Sequence, residues 1–298
     1  MANTDSADIN EIQLGYFLSN NWKNFVGKVE AEIHLRIKKA KVGEIEYDTQ
    51  TERAKVMSDE VLRWSKINGY DGPITKVWWT ARPGVLSSAV GKEVDSRKNP
   101  TDVLLQFRDG NFLGLSAKST KTKGDIGFKN PGLGTVEKAL GSFKPYLQDA
   151  VNELIKEYGV STSAATRRKE IRASKEISDL AETLGKKVLN QIRDELFSKI
   201  SRMNQKTLLN YILNDWMDAN EVYPRYVKVT GMRTGAKIED PLSNNKITAL
   251  STKKISLSKI GNDSIGIMAG QKRIMKMRAK FEAKKLTSPI KFSGDPWV

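Results

Sequence analysis

An acid and a lysine stand at opposite ends of one short stretch of the chain, NPTDVLLQFRDGNFLGLSAKST, residues 99–120. Asp102 precedes a first apolar run, and Lys118 follows a second one after a turn around Asp109 and Gly110. In an antiparallel hairpin these two ends lie side by side. A carboxylate that holds a metal ion and an ammonium that stabilises negative charge are the groups that metal-assisted phosphodiester cleavage needs.

The length of the turn decides whether these side chains share a face of the sheet, because strand side chains alternate between faces. A two-residue turn pairs Asp102 with Ala117 and puts Ser116 and Lys118 on the opposite face. A three-residue turn over 109–111 pairs Asp102 with Lys118 and brings Ser116 to the same side. A catalytic role therefore requires the longer turn or a bulge near Asp102.

Composition narrows the chemistry further. The 298 residues include no cysteine and one histidine, His34, which excludes thiolate zinc sites, disulfides and multi-histidine metal sites. Hydrolysis would then rely on hard oxygen ligands, and these select Mg²⁺ or Mn²⁺. Fifty Lys and Arg residues against 35 Asp and Glu give a formal net charge of +15, which favours a polyanionic partner and, first of all, DNA.

The chain shows no feature of a membrane protein. Its apolar runs are shorter than the ~20 residues of a membrane span, and its polar, acidic N-terminus is unlike a signal peptide. We therefore expect a soluble, intracellular, cytoplasmic protein without membrane contact. The long amphipathic helical stretches predict packing surfaces, and a homodimer interface is among the roles they allow.

Hydrophobic periodicity and the turn signals given by glycine and proline predict an α/β fold with a mixed central β-sheet. We predict four regions: a helical N-terminal region (1–70), a core of strands plus a helix (71–160), a helical insertion (161–221), and a basic, β-rich C-terminal region (222–298) that completes the core in one interpretation. The C-terminal strands are predicted at 225–231, 246–257, 264–269, 273–281 and 289–292.

The order Asn-Pro-Thr-Asp, strand, turn, strand, Ser-Ala-Lys resembles the PD-(D/E)xK nuclease superfamily. This superfamily includes restriction endonucleases, Holliday-junction resolvases and some homing endonucleases. Pro100-Thr101-Asp102 matches the first part of its motif with one extra residue between proline and acid. Ser116-Ala117-Lys118 matches the second part, with serine where the family usually has Glu or Asp. The resemblance implies a restriction-endonuclease-like core that binds Mg²⁺ or Mn²⁺.

The resemblance also implies roles for single residues. Asp102 would bind the metal, and Lys118 would face the scissile phosphate. One subgroup of restriction endonucleases has Ser-x-Lys and takes the missing acid from the following helix, which here points to Glu137 beside Ser116. Some members use a glutamate on an N-terminal helix, which Glu11 matches loosely. Alternatively, Glu11 completes a capping box, and Glu137 is an ordinary acid in the first turn of a helix.

Two sets of basic residues are candidates for contacts with DNA phosphates. One set lies in a loop rich in glycine and lysine, and the other in the C-terminal strands. An ordinary solvated surface is the alternative for both sets. The candidates are Lys121, Lys123 and Lys129 in the loop, and Lys272, Arg273, Arg278 and Lys280 in the strands.

Taken together, the residues and the resemblance predict a Mg²⁺-dependent DNA endonuclease, site-specific and of restriction or homing type. Three alternatives stay open. The first is a catalytically silent nucleic-acid-binding protein that retains a nuclease fold, which the serine at position 116 favours. The second is a structure-selective junction nuclease, and the third is a protein that acts on or binds RNA.

Overall fold

The computed structural model of the protein describes residues 4–70, 72–95, 98–119, 128–217, 219, 221–281, 286 and 290–297. The chain divides into two compact units. Unit 1 comprises Met1–Ile126 and Asn220–Asn244, and unit 2 comprises Gly127–Ala219 and Asn245–Val298. The units therefore do not follow the four predicted regions.

The described segments form helices and strands with the following bounds. The helices are α1 (Thr4–Leu18), α2 (Lys28–Val42), α3 (Glu44–Ile67), α4 (Val85–Val90), α5 (Leu133–Leu140), α6 (Lys144–Tyr158), α7 (Ala164–Ala173), α8 (Lys175–Ser201), α9 (Gln205–Tyr211), which continues into a π-helical turn (Ile212–Trp216), and α10 (Asn245–Thr252). The strands are β1 (Phe25–Val26), β2 (Ile74–Trp79), β3 (Val103–Phe107), β4 (Phe112–Ser119), β5 (Tyr226–Met232), β6 (Gly235–Glu239), β7 (Ile255–Ile260), β8 (Ser264–Ala269), β9 (Lys272–Phe281) and β10 (Ile290–Pro296).

Unit 1 is built on a mixed sheet whose described strands follow the order β1-β2-β3-β4-β5-β6. Strands β1 and β2 are parallel, as are β4 and β5, and the other neighbours are antiparallel. Helices α1 and α3 cover one face of this sheet. Helix α3 does so through Ala54, Met57 and Val61, whose spacing of three and four residues forms one buried stripe. The predicted mixed α/β class is confirmed.

The domain boundary predicted at residue 160 does not match a boundary between the two units, because strands from later in the chain complete the unit 1 sheet. Strand β5 pairs in parallel with β4, and a parallel pair needs a long crossover connection. Residues 127–219, which belong to unit 2, lie within that connection. The predicted helical N-terminal region is likewise part of unit 1, because α1 and α3 bury apolar residues against the sheet.

Unit 2 combines helices with a second, fully antiparallel sheet in the order β10-β9-β8-β7. Its core includes Leu184, Val188 and Ile192 from α8 and the inward side chains of β8 and β9. The C-terminal region from residue 245 onward thus belongs to unit 2 and does not complete the sheet of unit 1.

The predicted strand over 246–257 is wrong in its first half. The segment forms helix α10 and then strand β7. Its β-branched residues favour a strand locally, but Ala249 and Leu250 are buried and Ile247 packs partly against the same core. This spacing fits one face of a helix.

No helix in the described part of the chain has both the length and the apolar character needed to cross a bilayer.

Candidate active site

The hairpin between β3 and β4 has the longer of the two turns that the sequence allowed. Gln106 pairs with Phe112, and Phe107 N–H donates to the carbonyl of Asn111 at 2.9 Å. The loop therefore consists of the three residues 108–110. It lies one position earlier than predicted, and the paired register ends with Val103 opposite Leu115, directly after Asp102. The contacts of Asp102 with Ser116 and Lys118, described next, place the three side chains on the shared side that the hypothesis requires.

Asp102 lies where the β3–β4 ladder ends, and its carboxylate turns toward β4. Its backbone N–H donates to the carbonyl of Leu115 at 2.8 Å, and its Oδ2 accepts the N–H of Ala117 at 2.8 Å. Lys118 Nζ lies 3.5 Å from the same oxygen. The hydroxyl of the buried Ser116 also hydrogen-bonds to the carboxylate. The hairpin thus brings together three of the predicted site residues.

A hydrogen-bonded segment before β3 fixes the position of Asp102. The Asn99 side chain is buried, donates to the carbonyl of Pro224 at 2.9 Å and accepts the hydroxyl of Thr101 at 2.6 Å. The Thr80 hydroxyl donates to the Thr101 carbonyl at 2.7 Å, and Thr80 N–H donates to the Asp102 carbonyl at 2.9 Å. Asn99 and Thr101 are therefore a buried support and not exposed turn residues.

Gly114 makes room for this support. A Cβ at Gly114 would lie 2.2 Å from Thr101 Oγ1 and 3.0 Å from Tyr226 Cβ, which is too close for any side chain. Glycine at this strand position allows the segment that carries Asp102 to lie directly on β4. The sequence signal for it was a lone glycine inside an apolar strand, which indicates a close backbone approach.

Glu11 is the second carboxylate of the site. It lies in α1, is 8% exposed, and its Oε2 accepts the indole N–H of Trp79 at 3.0 Å. A capping box completed by Glu11 would need Asp8 as the N-cap of the helix. Because α1 begins at Thr4, both residues lie inside the helix, and the capping-box alternative is wrong. Trp79 itself was missed as a site residue, since nothing in the local sequence distinguishes it from an ordinary core tryptophan.

The electrostatics of the site show that the two carboxylates act on one another. Burial is the largest cause and the negative charge of Asp102 the next; together they raise the pKa of Glu11 to about 8, against the opposing influence of the Trp79 hydrogen bond and Lys118. Burial also raises the pKa of Asp102, and Lys118 is the largest opposing influence. At neutral pH Glu11 therefore holds a proton that a nearby cation would displace.

The donor set fits a hard divalent cation. Asp102 and Glu11 supply two carboxylates at one place, and Mg²⁺ is commonly bound through one or two carboxylates with water completing the shell. Within the described residues, no group of three or more Asp, Glu or His side chains is gathered in a way that could hold a metal. Of the acids predicted to bind metal, Glu11 belongs to the same unit as Asp102, and the Asp102 charge raises its pKa, whereas Glu137 belongs to unit 2.

Glu137 lies in α5 of unit 2, where its carboxylate organises the end of the helix. Its Oε1 accepts the backbone N–H of Phe143 at 2.8 Å and the hydroxyl of Ser142 at 2.9 Å. Its backbone carbonyl accepts the N–H of Gly141 at 2.7 Å. These contacts describe a helix-ending residue, and the metal-ligand role of Glu137 stays a prediction.

The loop lysines predicted to contact DNA are described only in part. Lys121 and Lys123 lie outside the described residues. Lys129 is fixed in unit 2 by its backbone, which donates to the carbonyl of Trp216 at 2.9 Å and accepts the N–H of Gly294 at 2.8 Å. Its charge also opposes the rise that burial produces in the pKa of Asp215. Lys129 is thus part of a packed segment and not of a solvated loop.

The basic residues of β9 make contacts within unit 2. Arg278 Nε donates to Asp263 Oδ2 at 2.9 Å. Arg278 and Lys280 line the same cleft, of about 490 Å³, together with Asp263, which places their side chains on one face of the strand as predicted.

The beginning of β9 is also held by contacts within unit 2. Lys272 Nζ donates to the backbone carbonyl of Asn245 at 3.2 Å. The Arg273 guanidinium carbon lies 5.3 Å from the ring centroid of Trp297, which is a cation–π distance. Binding of DNA by these residues stays a prediction.

Comparisons with known proteins give no match: no family model matches the chain, and no curated protein matches it. The residues of the site are therefore the basis of the functional assignment.

Proposed function

We propose that unit 1 is a metal-dependent DNA endonuclease whose active site is the sheet rim formed by Asp102, Glu11, Lys118 and Ser116. One observation carries this proposal. Two carboxylates are buried close enough for each to influence the other, and a lysine ammonium lies 3.5 Å from one of them. Burying two carboxyl groups together costs stability, whether one of them takes up a proton or both stay charged, so this arrangement favours a functional role.

Asp102 and Glu11 are the residues that would hold Mg²⁺ or Mn²⁺. Such an ion supplies a water molecule of lowered pKa and polarises a phosphoryl oxygen when it is bound. Asp102 is held for this task by Ala117 N–H and by the Ser116 hydroxyl. Glu11 must lose its proton to become a ligand, and Trp79 holds its carboxylate toward the rim.

Lys118 is the residue that would meet the scissile phosphate. More than half of its side chain is exposed, at 57%, so the ammonium is accessible while it stays close to Asp102. A fixed cation at the point where phosphate charge develops stabilises the transition state. The chain has no cysteine, and its one histidine, His34, has its Nε2 3.3 Å from Asp8 Oδ2. We assign the acid–base role at this site to the two carboxyl groups.

The proposal includes a restriction-endonuclease-like core. Four features support it: a mixed sheet, an acid at the start of β3, a lysine near the end of the antiparallel β4, and a glutamate on a helix that covers the sheet. Within that class we propose a site-specific enzyme of restriction or homing type, because the basic unit 2 adds surface for contacts with DNA.

A homodimer is part of the proposal because a two-fold dimer can read two half-sites. Helix α2 leaves Val29, Ile33 and Ile37 exposed at four-residue intervals. In an antiparallel pair of α2 helices centred on Ile33, the exposed Glu30 faces the exposed Arg36 of the second copy. Sedimentation of the wild type as a dimer and of Ile33→Asp as a monomer is expected, and an identical mass for both contradicts this interface.

Cleavage of supercoiled plasmid tests the enzymatic proposal. With Mg²⁺ or Mn²⁺ the wild type is expected to produce nicked or linear DNA, and with EDTA it is not. Asp102→Ala and Lys118→Ala are expected to be inactive. A wild type that binds DNA but cuts it with neither metal would be the catalytically silent binding protein, and competition of RNA with the plasmid distinguishes a protein that prefers RNA.

A further inference from the structure

Arg53 is a buried arginine at the same end of the unit 1 sheet as the candidate active site. It lies in α3 and is 8% exposed. Its Nη1 donates to the Ser119 hydroxyl at 2.7 Å. Its Nε is buried without any hydrogen-bond partner. Ser119 directly follows Lys118 in β4, so the guanidinium lies next to the strand position of the catalytic lysine.

Close packing holds the Arg53 side chain in this place. Ser119 pairs with Gly231 of β5, and a Cβ at Gly231 would lie 3.0 Å from Arg53 Cβ and 2.7 Å from Met57 Sδ. The arginine stem therefore rests directly on the backbone of β5, and the guanidinium extends over the end of β4. A fixed stem means that little side-chain entropy remains to be lost when the guanidinium binds a ligand.

Among the described residues, the Arg53 guanidinium has no acidic partner. Its hydrogen bonding to those residues is limited to the neutral Ser119 hydroxyl. A buried cation without an anion is costly, and an anionic ligand would offset that cost.

We propose that Arg53 binds a backbone phosphate of nucleic acid at the end of β4, beside the phosphate that Lys118 faces. The proposal rests on the nuclease function proposed above for the ligand's identity, but not for its charge. A guanidinium offers a planar fork of donors that matches a phosphate. Because consecutive strand residues point to opposite faces, Lys118 and the Arg53–Ser119 pair contact different phosphates. Arg53 is thus a positioning residue that sets where the scissile bond lies.

Binding of inorganic phosphate tests the site without any catalysis. Thermal unfolding in EDTA with increasing phosphate would be measured for the wild type, Arg53→Met and Arg63→Met. Arg63 is the matched control, since it lies on the same helix but is exposed and paired with Glu60. Phosphate is expected to raise the melting temperature of the wild type and of Arg63→Met more than that of Arg53→Met, which keeps only the general stabilising effect of phosphate and the Lys118 contact. No rise in the wild type, or an equal rise in Arg53→Met, overturns the proposal.

The salt dependence of DNA binding provides the second test. With a short duplex in EDTA, Arg53→Met is expected to lower the slope of log K against log salt by about one, and Arg63→Met to leave it unchanged. If Arg53→Met does not fold, Arg53→Lys replaces it. Arg53→Lys is expected to keep the wild-type slope but to weaken inorganic phosphate binding several-fold, because the fork is lost. Undiminished phosphate binding in Arg53→Lys contradicts the proposal.

The two proposals fail in different ways. If the wild type never cuts plasmid but Arg53→Met lowers the slope, the nuclease proposal is wrong and the phosphate-binding proposal stands. If the wild type cuts plasmid but the slope is unchanged in Arg53→Met, the nuclease proposal stands and the proposed role of Arg53 is wrong.

Discussion

Charged residues gather at two places in this protein, and their surroundings differ. At the rim of the unit 1 sheet, Asp102 and Glu11 are buried together and their pKa values are raised. On β9 of unit 2, Arg278 pairs with Asp263 at 2.9 Å, and both groups keep contact with solvent. An exposed pair of opposite charges costs little and contributes little. Two buried acids, one of which takes up a proton near neutral pH, are costly, so the unit 1 rim is the better candidate for a functional site.

The two glutamates of the sequence-based hypothesis show the same contrast. Glu11 faces another acid and accepts its hydrogen bond from the Trp79 indole. Glu137 accepts two hydrogen bonds from the residues that follow its own helix. The first arrangement places two acids beside each other, whereas in the second the carboxylate completes a local helix end. A carboxylate whose hydrogen bonds are satisfied locally is a weaker candidate for a metal ligand.

Asp102→Asn is expected to have the largest effect on activity. Asparagine keeps the size of the side chain and an oxygen for Ala117 N–H, but it removes the charge that binds metal. Plasmid cleavage should slow by on the order of 10³-fold or more. The matched change in unit 2, Asp263→Asn, should leave the rate near that of the wild type. An equal loss of cleavage activity in the two variants would contradict the proposed difference between the unit 1 rim and the charged residues of unit 2.

Lys118→Met is expected to have the next largest effect. Methionine retains much of the apolar stem but removes the ammonium beside Asp102, and the rate of the chemical step should fall by roughly 10²-fold. Single-turnover cleavage measures that step separately from DNA binding. Lys280→Met on β9 is the comparison, and it should change binding in a salt-dependent way while leaving the single-turnover rate intact. A slowed chemical step in Lys280→Met would place part of the catalytic machinery in unit 2.

Trp79→Phe is expected to have a smaller effect, through Glu11. The indole hydrogen bond lowers the pKa of Glu11, so its loss should raise that pKa and shift metal binding to higher pH. Supporting hydrogen bonds of this kind are typically worth about 10- to 100-fold in metal affinity. Mn²⁺ affinity measured as a function of pH provides the test, with Trp78→Phe as the control. If the two variants bind Mn²⁺ alike at every pH, the indole has no such role.

Glu11 is expected to give the metal-free protein a pH-dependent stability. The ordinary pKa of the side chain is 4.5, and its pKa in the folded protein is about 8. Between these values the folded state holds a proton that the unfolded chain has released. The free energy of unfolding should therefore decrease as pH rises across this window, by up to about 1.4 kcal/mol per pH unit. Denaturant unfolding in EDTA would measure this dependence.

Two variants serve as comparisons for this stability prediction. Glu11→Gln cannot release the proton, so its stability should vary less with pH between 4.5 and 8. Glu137→Gln should follow the wild type. A wild type whose stability is flat across the window would contradict the burial of Glu11 beside Asp102.

The sequence predicted the hairpin well because hairpin geometry is local. Asp102, Ser116 and Lys118 are separated by one short turn, and a shared face required the longer turn that the structure has. The position of the three-residue loop was wrong by one residue, since several placements of the turn satisfy the same alternation. Strand β6 and the helix at Asn245–Thr252 were missed because tertiary packing decides such short segments.

The second carboxylate was harder to assign because its contacts are long-range. Glu11 and Trp79 are separated by 68 residues, and no local periodicity shows that they meet. Glu137 was attractive because it follows the hairpin closely in sequence. However, a new unit begins at Gly127, so closeness along the chain did not mean membership of the same core. Arg53 was not predicted either, because a buried unpaired arginine has no signature in an amphipathic helix.

The central proposal is that Glu11 binds metal together with Asp102, and Glu137 is the competing candidate from the sequence. Titration calorimetry with Mn²⁺ at neutral pH tests it most directly, on the wild type, Asp102→Asn, Glu11→Gln and Glu137→Gln. The wild type and Glu137→Gln are predicted to bind Mn²⁺ with equal affinity, and the other two variants to lose that binding. Wild-type affinity in Glu11→Gln together with lost binding in Glu137→Gln would contradict the account.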